Sequence, residues 1–257
     1  MKKTIWPILT IAKTGFQEYL RDRFAHICFF IALFLMALSI ALGSLSLEEQ
    51  TRIMIHFGLT SIHLCCLGLV SFFGAFSMQK ETERQTCLLI LARPLNRAQF
   101  LIGKYLSVFL IMLTVWLILS VTLFLILEGE VSFLNYMQAS LGIIFEMSVL
   151  LALAFFFASI VRPTYALFMV FAIFLLGNWL EELLFFATKS KNEFFLRAAE
   201  VVNKVVPNLF TANWRSYYLI TTGIDTGQWF WSFGHHFAWI LIALALATFF
   251  YKRKDLV

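Results

Sequence analysis

Residues 106–127 read LSVFLIMLTVWLILSVTLFLIL, without one Asp, Glu, Lys or Arg. A helix crosses a hydrocarbon core in about 20 residues, so this stretch predicts a membrane span. Five other segments pass the same test. The expected spans are His26–Leu45, Phe57–Met78, Leu106–Leu127, Met137–Ile160, Tyr165–Phe186 and Phe230–Tyr251. Composition agrees with them. Of 257 residues, 61% are hydrophobic and only 14% charged, with a mean hydropathy of +0.83. A soluble domain carries about 25% charged residues to keep its surface wet; this chain has too few to coat a sphere of its size. The fold class expected is an all-α polytopic membrane protein with six spans. The first span is too long for a signal-peptide core of roughly 7–15 residues, and no small-residue cleavage site follows it. Only Cys28, Cys65, Cys66 and Cys87 are present, which excludes a secreted disulfide scaffold. The net charge of +5 is spread along the loops, where it reports orientation rather than nucleic-acid binding.

Lys and Arg sort the loops into two sets. Lys2, Lys3, Lys13, Arg21 and Arg23 precede span one; Lys80, Arg84, Arg93, Arg97 and Lys104 link spans two and three. Arg162 follows span four, and Lys252, Arg253 and Lys254 follow span six. Six spans place all of these on one side, with both termini cytoplasmic. The other side has Glu48, Glu49 and Arg52, then Glu128 and Glu130. Residues 187–229 dissent, being expected outside yet holding Lys189, Lys191, Arg197, Lys204 and Arg215; longer loops obey the charge rule less strictly.

Three segments outside the spans carry patterns of their own. At the N-terminus Ile5, Leu9, Ala12, Phe16, Tyr19 or Leu20, and Phe24 recur every three or four residues. One apolar stripe on residues 1–25 suits a helix lying in the membrane interface. In the link 79–105, charges at Lys80, Glu81, Glu83 and Arg84 precede the apolar block Leu88–Leu91, and Pro94 interrupts. Asn96 and Gln99 have capping-box spacing, so a fresh helix is expected from Arg97 into span three. The link then forms a compact cytoplasmic knob able to dock. In 187–229, Ser190 and Glu193 have the same spacing, and Phe194, Phe195, Ala198, Val201, Val202 and Val205 give an apolar face ending at Pro207. Trp214, Tyr217, Tyr218, Trp229 and Trp231 are residue types favoured at headgroup depth. One or two short external helices follow from this. No three-plus-three repeat is visible, which disfavours an inverted-repeat transporter.

Catalytic chemistry is sparse. Gly103-Lys104 comes nearest to a phosphate loop, but Ala98 replaces its leading glycine and Tyr105 its Ser or Thr. Any ATP use therefore belongs to a partner chain. Glu181-Glu182 resembles the E-E-x-x-x-R motif of CAAX-type intramembrane proteases, except that Phe186 stands where arginine is needed. His63 with Cys65 and Cys66 lacks the helical spacing and the second cluster of a soft-metal site, so three packed side chains are the better reading. His235-His236 carries no stronger signal. Glu146 lies inside span four, where an ionised side chain is expensive and faces the bundle interior. It is either functional or a paired residue locking helices together. Span two is rich in small and polar residues, and Thr60, His63, Leu67, Ser71 and Gly74 fall near one face. That stripe is either close packing or one wall of a pathway.

The link resembles the cytoplasmic loop of ABC-2-type permeases. The residues are Lys80-Glu81-Thr82-Glu83-Arg84-Gln85-Thr86, Leu88-Leu89, Arg93-Pro94-Leu95, Arg97 and Gly103-Lys104. Val206-Pro207-Asn208-Leu209 resembles a feature of the branch that includes the permease of the nitrous-oxide-reductase maturation system. Gln85 departs from the family's usual Gly, and Cys87 interrupts its Thr-Leu step. The resemblance implies one permease domain over 1–257, paired with a second copy and with an ABC ATPase subunit that holds ATP and Mg. It implies no cofactor on this chain, and an ATPase-docking surface of Glu81, Glu83, Arg84, Leu88, Leu89 and Arg97. The alternatives are a membrane scaffold using ATP hydrolysis mechanically and, less favoured, an intramembrane enzyme.

Overall fold

The computed structural model describes residues 2–45, 50–83, 96–127, 131–190, 192–214 and 226–253. Among these residues the secondary structure is all helical. Helix α1 spans Lys2–Leu20, α2 Arg23–Ser44, α3 Gln50–Glu83, α4 Arg97–Ile126 and α5 Phe133–Ile160. There follow α6 (Pro163–Asn178), α7 (Leu180–Lys189), α8 (Glu193–Val205), a 3₁₀ turn (Phe210–Ala212) and α9 (Thr226–Arg253).

Helices α2, α3, α4, α5 and α9 are each long and apolar enough to cross a membrane. The bent pair α6–α7 makes a sixth crossing if its two halves count as one. The expected fifth span, Tyr165–Phe186, falls on this bent pair rather than on one continuous helix. The chain turns by 58° between α6 and α7, with Trp179 at φ −106°, ψ 9° between them. Gly177 and Asn178, two weak helix formers, stand directly before the bend.

The two most enclosed helices, α3 and α5, form the centre. Helix α3 packs against α2, α4, α5 and α6, while α9 lies along α5. Leu59, Ile62, Leu69, Val70 and Phe73 of α3 and Met147, Leu150, Leu151, Ala154 and Phe155 of α5 are buried in one apolar core. The outer helices keep Phe30, Phe34, Phe237 and Phe249 exposed. Lipid-facing helices are apolar on their outside, so the pattern is that of a bundle made for hydrocarbon.

Helix α1 packs on α4, with Gly15 against Ser107 and Ile11 against Gly103; Ala12, Gly15 and Tyr19 are buried, while Trp6 and Leu9 are exposed. The buried Lys104 of α4 reaches Glu18 of α1 at 3.9 Å. The start of α4 falls at Arg97, and Gln99 Oε1 accepts from the Asn96 N–H at 3.1 Å, as the spacing predicts. At α8 the expected Ser190–Glu193 box is replaced. Asn192 is the cap, its Oδ1 accepting from Phe194 N and Phe195 N. Ser190 instead closes α7, donating its N–H to Phe186 O.

The segment after α8 folds back into the bundle. Leu209 N–H donates to Gly177 O at 3.1 Å, and a Cβ on Gly177 would stand 2.8 Å from Pro207 O. On α5, a Cβ on Gly142 would run into Ala212 O. Two glycines thus let residues 207–212 lie directly against α5 and α6. Overpacking such a contact costs about 1–3 kcal/mol. We expect Gly142→Ala to lower the thermal stability of the purified chain and speed hydrogen exchange in 207–212. Gly234→Ala is the control, since a Cβ there meets nothing within 4 Å; helix propensity should leave it neutral or slightly stabilised. Equal behaviour of the two variants would mean the segment does not depend on that close approach.

A candidate polar site at the broken span

Glu146 sits in the fourth turn of α5, 1% exposed. A carboxylate at such depth needs partners, because burying an uncompensated charge costs several kcal/mol. The partners come from two other helices. His63 Nε2 of α3 lies 2.9 Å from Glu146 Oε2, and with that nitrogen protonated it donates. Asn178 Nδ2, on the last residue of α6, donates to Glu146 Oε1 at 2.7 Å. A second donor bond from the same amide returns to Phe174 O at 3.1 Å, and the Phe174 ring lies beside the imidazole, centroids 5.4 Å apart. Three helices are thereby tied through one side chain.

Two of the three linked side chains, His63 and Asn178, line a cleft of about 380 Å³. His56, Thr60, His63, Asn178 and Asn213 give its polar lining; Leu64, Phe174, Leu175 and Trp179 give the apolar part. Asn178 Oδ1 is buried and has no hydrogen-bond partner among the described residues. On the α9 side of α5, His236 is buried, its Nδ1 bonded to Ser232 O at 2.8 Å. His236 Nε2 finds no partner among the described residues. Beyond it, Phe145 of α5 packs edge-on against Trp214 and Trp229, which closes this flank with aromatic rings.

The span-two stripe is divided by the fold. Thr60 is exposed in the cleft and His63 also lines it. Leu67 and Ser71 are buried within the chain, and a Cβ on Gly74 would stand 2.6 Å from Ala154 Cβ of α5. Of the docking residues, Arg97 is placed: its Nη1 donates to Tyr251 O at 3.3 Å and Lys252 O at 3.0 Å, the last carbonyls of α9. Glu81 and Glu83 fall on the final turns of α3, with side chains outside the description. Arg84, Leu88 and Leu89 lie outside the described residues. No three His, Cys, Asp or Glu side chains converge as metal ligands among the described residues.

His63 and Glu146 are visible in the sequence as separate polar residues within spans; their pairing is not. Asn178 escapes sequence reasoning, although an amide inside an expected span was the available signal.

A bundle of this kind, with several helices long and apolar enough to cross a bilayer, defines an integral polytopic membrane protein. Residues 9–256 match the family described as ABC-2 family transporter protein, and the chain belongs to that family. Membership implies an ABC ATPase as partner. Among curated proteins no significant match is found.

Removing His63 alone strands a buried carboxylate, whereas removing both partners does not. We therefore expect His63→Leu and Glu146→Leu to be non-additive in thermal unfolding, with a coupling of about 1 kcal/mol or more. An ordinary interhelical hydrogen bond in a membrane protein gives about 0.6 kcal/mol. Additive losses would mean that the contact contributes nothing to stability.

Proposed function

We propose that the chain is the membrane-spanning permease subunit of an ABC transporter. It couples ATP hydrolysis on a separate ATPase subunit to export or movement of a substrate across or out of the inner membrane. The observation that carries this reading is the family match over nearly the whole chain, on a bundle of apolar helices. In this reading the bent α6–α7 pair is the fifth of six spans, both termini are cytoplasmic, and α1 lies in the cytoplasmic interface. ATP and Mg are held by the ATPase; this chain is non-catalytic. Two copies pair, and the branch is that of the nitrous-oxide-reductase maturation permease, on the strength of Val206-Pro207-Asn208-Leu209.

The knob docks the ATPase through Glu81, Glu83, Arg84, Leu88, Leu89 and Arg97. The Arg97 clamp suggests how movement spreads. Arg97 opens α4 and also holds the last turn of α9 by two carbonyls that a helix end leaves unpaired. A push on the link is thus delivered to two spans at once. Thr60, His63, Leu67, Ser71 and Gly74 are the candidate pathway wall. The burial of Leu67 and Ser71 inside one chain also supports the second reading, a mechanical subunit that moves without translocating cargo.

Two experiments test this. Cysteines at Arg93 and Lys254 should label only from the cytoplasm, and cysteines at Glu49 and Lys191 only from outside. Cytoplasmic labelling at Lys191 would overturn the last two spans. Leu89→Asp or Glu83→Arg should reduce co-purification of the ATPase at least tenfold while insertion stays intact, since breaking a buried interfacial ion pair costs about 2–5 kcal/mol. Unchanged binding in both variants would put the contact elsewhere.

A further inference from the structure

We infer that His63, Glu146 and Asn178 form a proton-binding latch, in which protonation of Glu146 from the cleft releases the broken span α6–α7 from α3 and α5. The inference stands apart from the transport reading, because it needs only the geometry of the bundle.

The triad has three properties that a purely structural hydrogen bond lacks. First, it is titratable: one carboxylate faces one imidazole at 2.9 Å. Their shared proton gives either an imidazolium–carboxylate pair or two neutral groups, and both have zero net charge. Adding one more proton leaves imidazolium beside a neutral carboxylic acid. Second, it can exchange with solvent. His63 and Asn178 each touch Glu146 and also line the cleft, so water reaching the cleft stands one residue from the carboxyl. Third, it sits at a mechanical break. Asn178 is the last residue of α6, and the chain bends by 58° on entering α7.

Protonation has a defined sign. An ionised carboxylate is acceptor-only and takes charge-assisted bonds from both donors. A proton taken from water forms an O–H bond on Glu146 and turns one acceptor oxygen into a donor. The Asn178 bond, which is the tie to α6, then joins two neutral groups, and such a bond has roughly half the strength. Acidification therefore loosens the tie between α6 and its neighbours, and neutral pH fastens it.

His63 comes from α3, and His236 on α9 lies within electrostatic reach of the carboxylate. The α6 contribution is the neutral amide of Asn178. Tyr105 of α4 is engaged with Ser148 O at 3.3 Å. His56, one turn from Thr60, is the other imidazole lining the cleft, which makes it the necessary control.

The test uses the full chain in lipid nanodiscs, with its cysteines replaced and spin labels on Thr60→Cys and Trp179→Cys. The label-to-label distance is measured from about pH 8 to about pH 5, the range in which imidazole pairs switch. A parallel infrared titration follows the protonated-carboxyl band. The distance should lengthen on acidification as the band grows. Glu146→Gln should abolish both the band and the distance change, and His56→Asn should abolish neither. Should Glu146→Gln fail to fold, Asn178→Leu serves instead. It keeps the titrating pair but cuts the tie to α6, so the band should still titrate while the distance no longer follows pH. A distance change that survives Glu146→Gln or Asn178→Leu would overturn the proposal. So would a band that titrates in the unaltered triad with no movement, or a triad that does not titrate in this range.

Discussion

Three helices of this bundle meet at a carboxylate that cannot be left alone. Glu146 is too deep for water to solvate it fully, so its oxygens must find donors on neighbouring helices. The donors present, an imidazole from α3 and an amide from the end of α6, fix the relative rotation of three helices. Apolar packing between spans has no such direction, because lipid tails compete with side chains on equal terms. The polar contact supplies the specificity that the hydrophobic surfaces around it lack.

The segment 206–214 completes the same region from the other side. At the end of α6 the last carbonyls need donors, and Leu209 supplies one to Gly177. Close approach at Gly142 and Gly177 then lets backbone replace side chain between α5 and α6. The bend at Trp179, the cleft and the re-entrant segment are consequently one construction. Loosening any part exposes backbone groups in a place where hydrocarbon cannot satisfy them.

At the opposite end of the bundle the tie is again polar and again to carbonyls. Arg97 sits where the link becomes α4 and grips the end of α9. Between the two ends lies the apolar seam of α3 and α5. A chain of the ABC-2 family with this layout has an apolar centre and two polar fastenings, one at Glu146 within α5 and one where α4 begins and α9 ends.

The sequence by itself determined the class of protein. Unbroken runs such as 106–127 can be stable only as helices in hydrocarbon, because every backbone group must be bonded within its own segment. The start of α4 at Arg97 was legible too, since a capping box is a local interaction between neighbours in the chain. The bend of the fifth apolar run had a local signal in Gly177-Asn178, but the contacts that receive it, a donor at Leu209 and a partner at Glu146, are distant in sequence. Ser190 and Glu193 offered a plausible cap, yet Asn192 was nearer the true helix start and took the role. Likewise His63 and Glu146 each announced a buried polar residue, but 83 positions separate them. Only the packing of α3 against α5 could bring them to hydrogen-bond distance and make one site of two isolated polar residues.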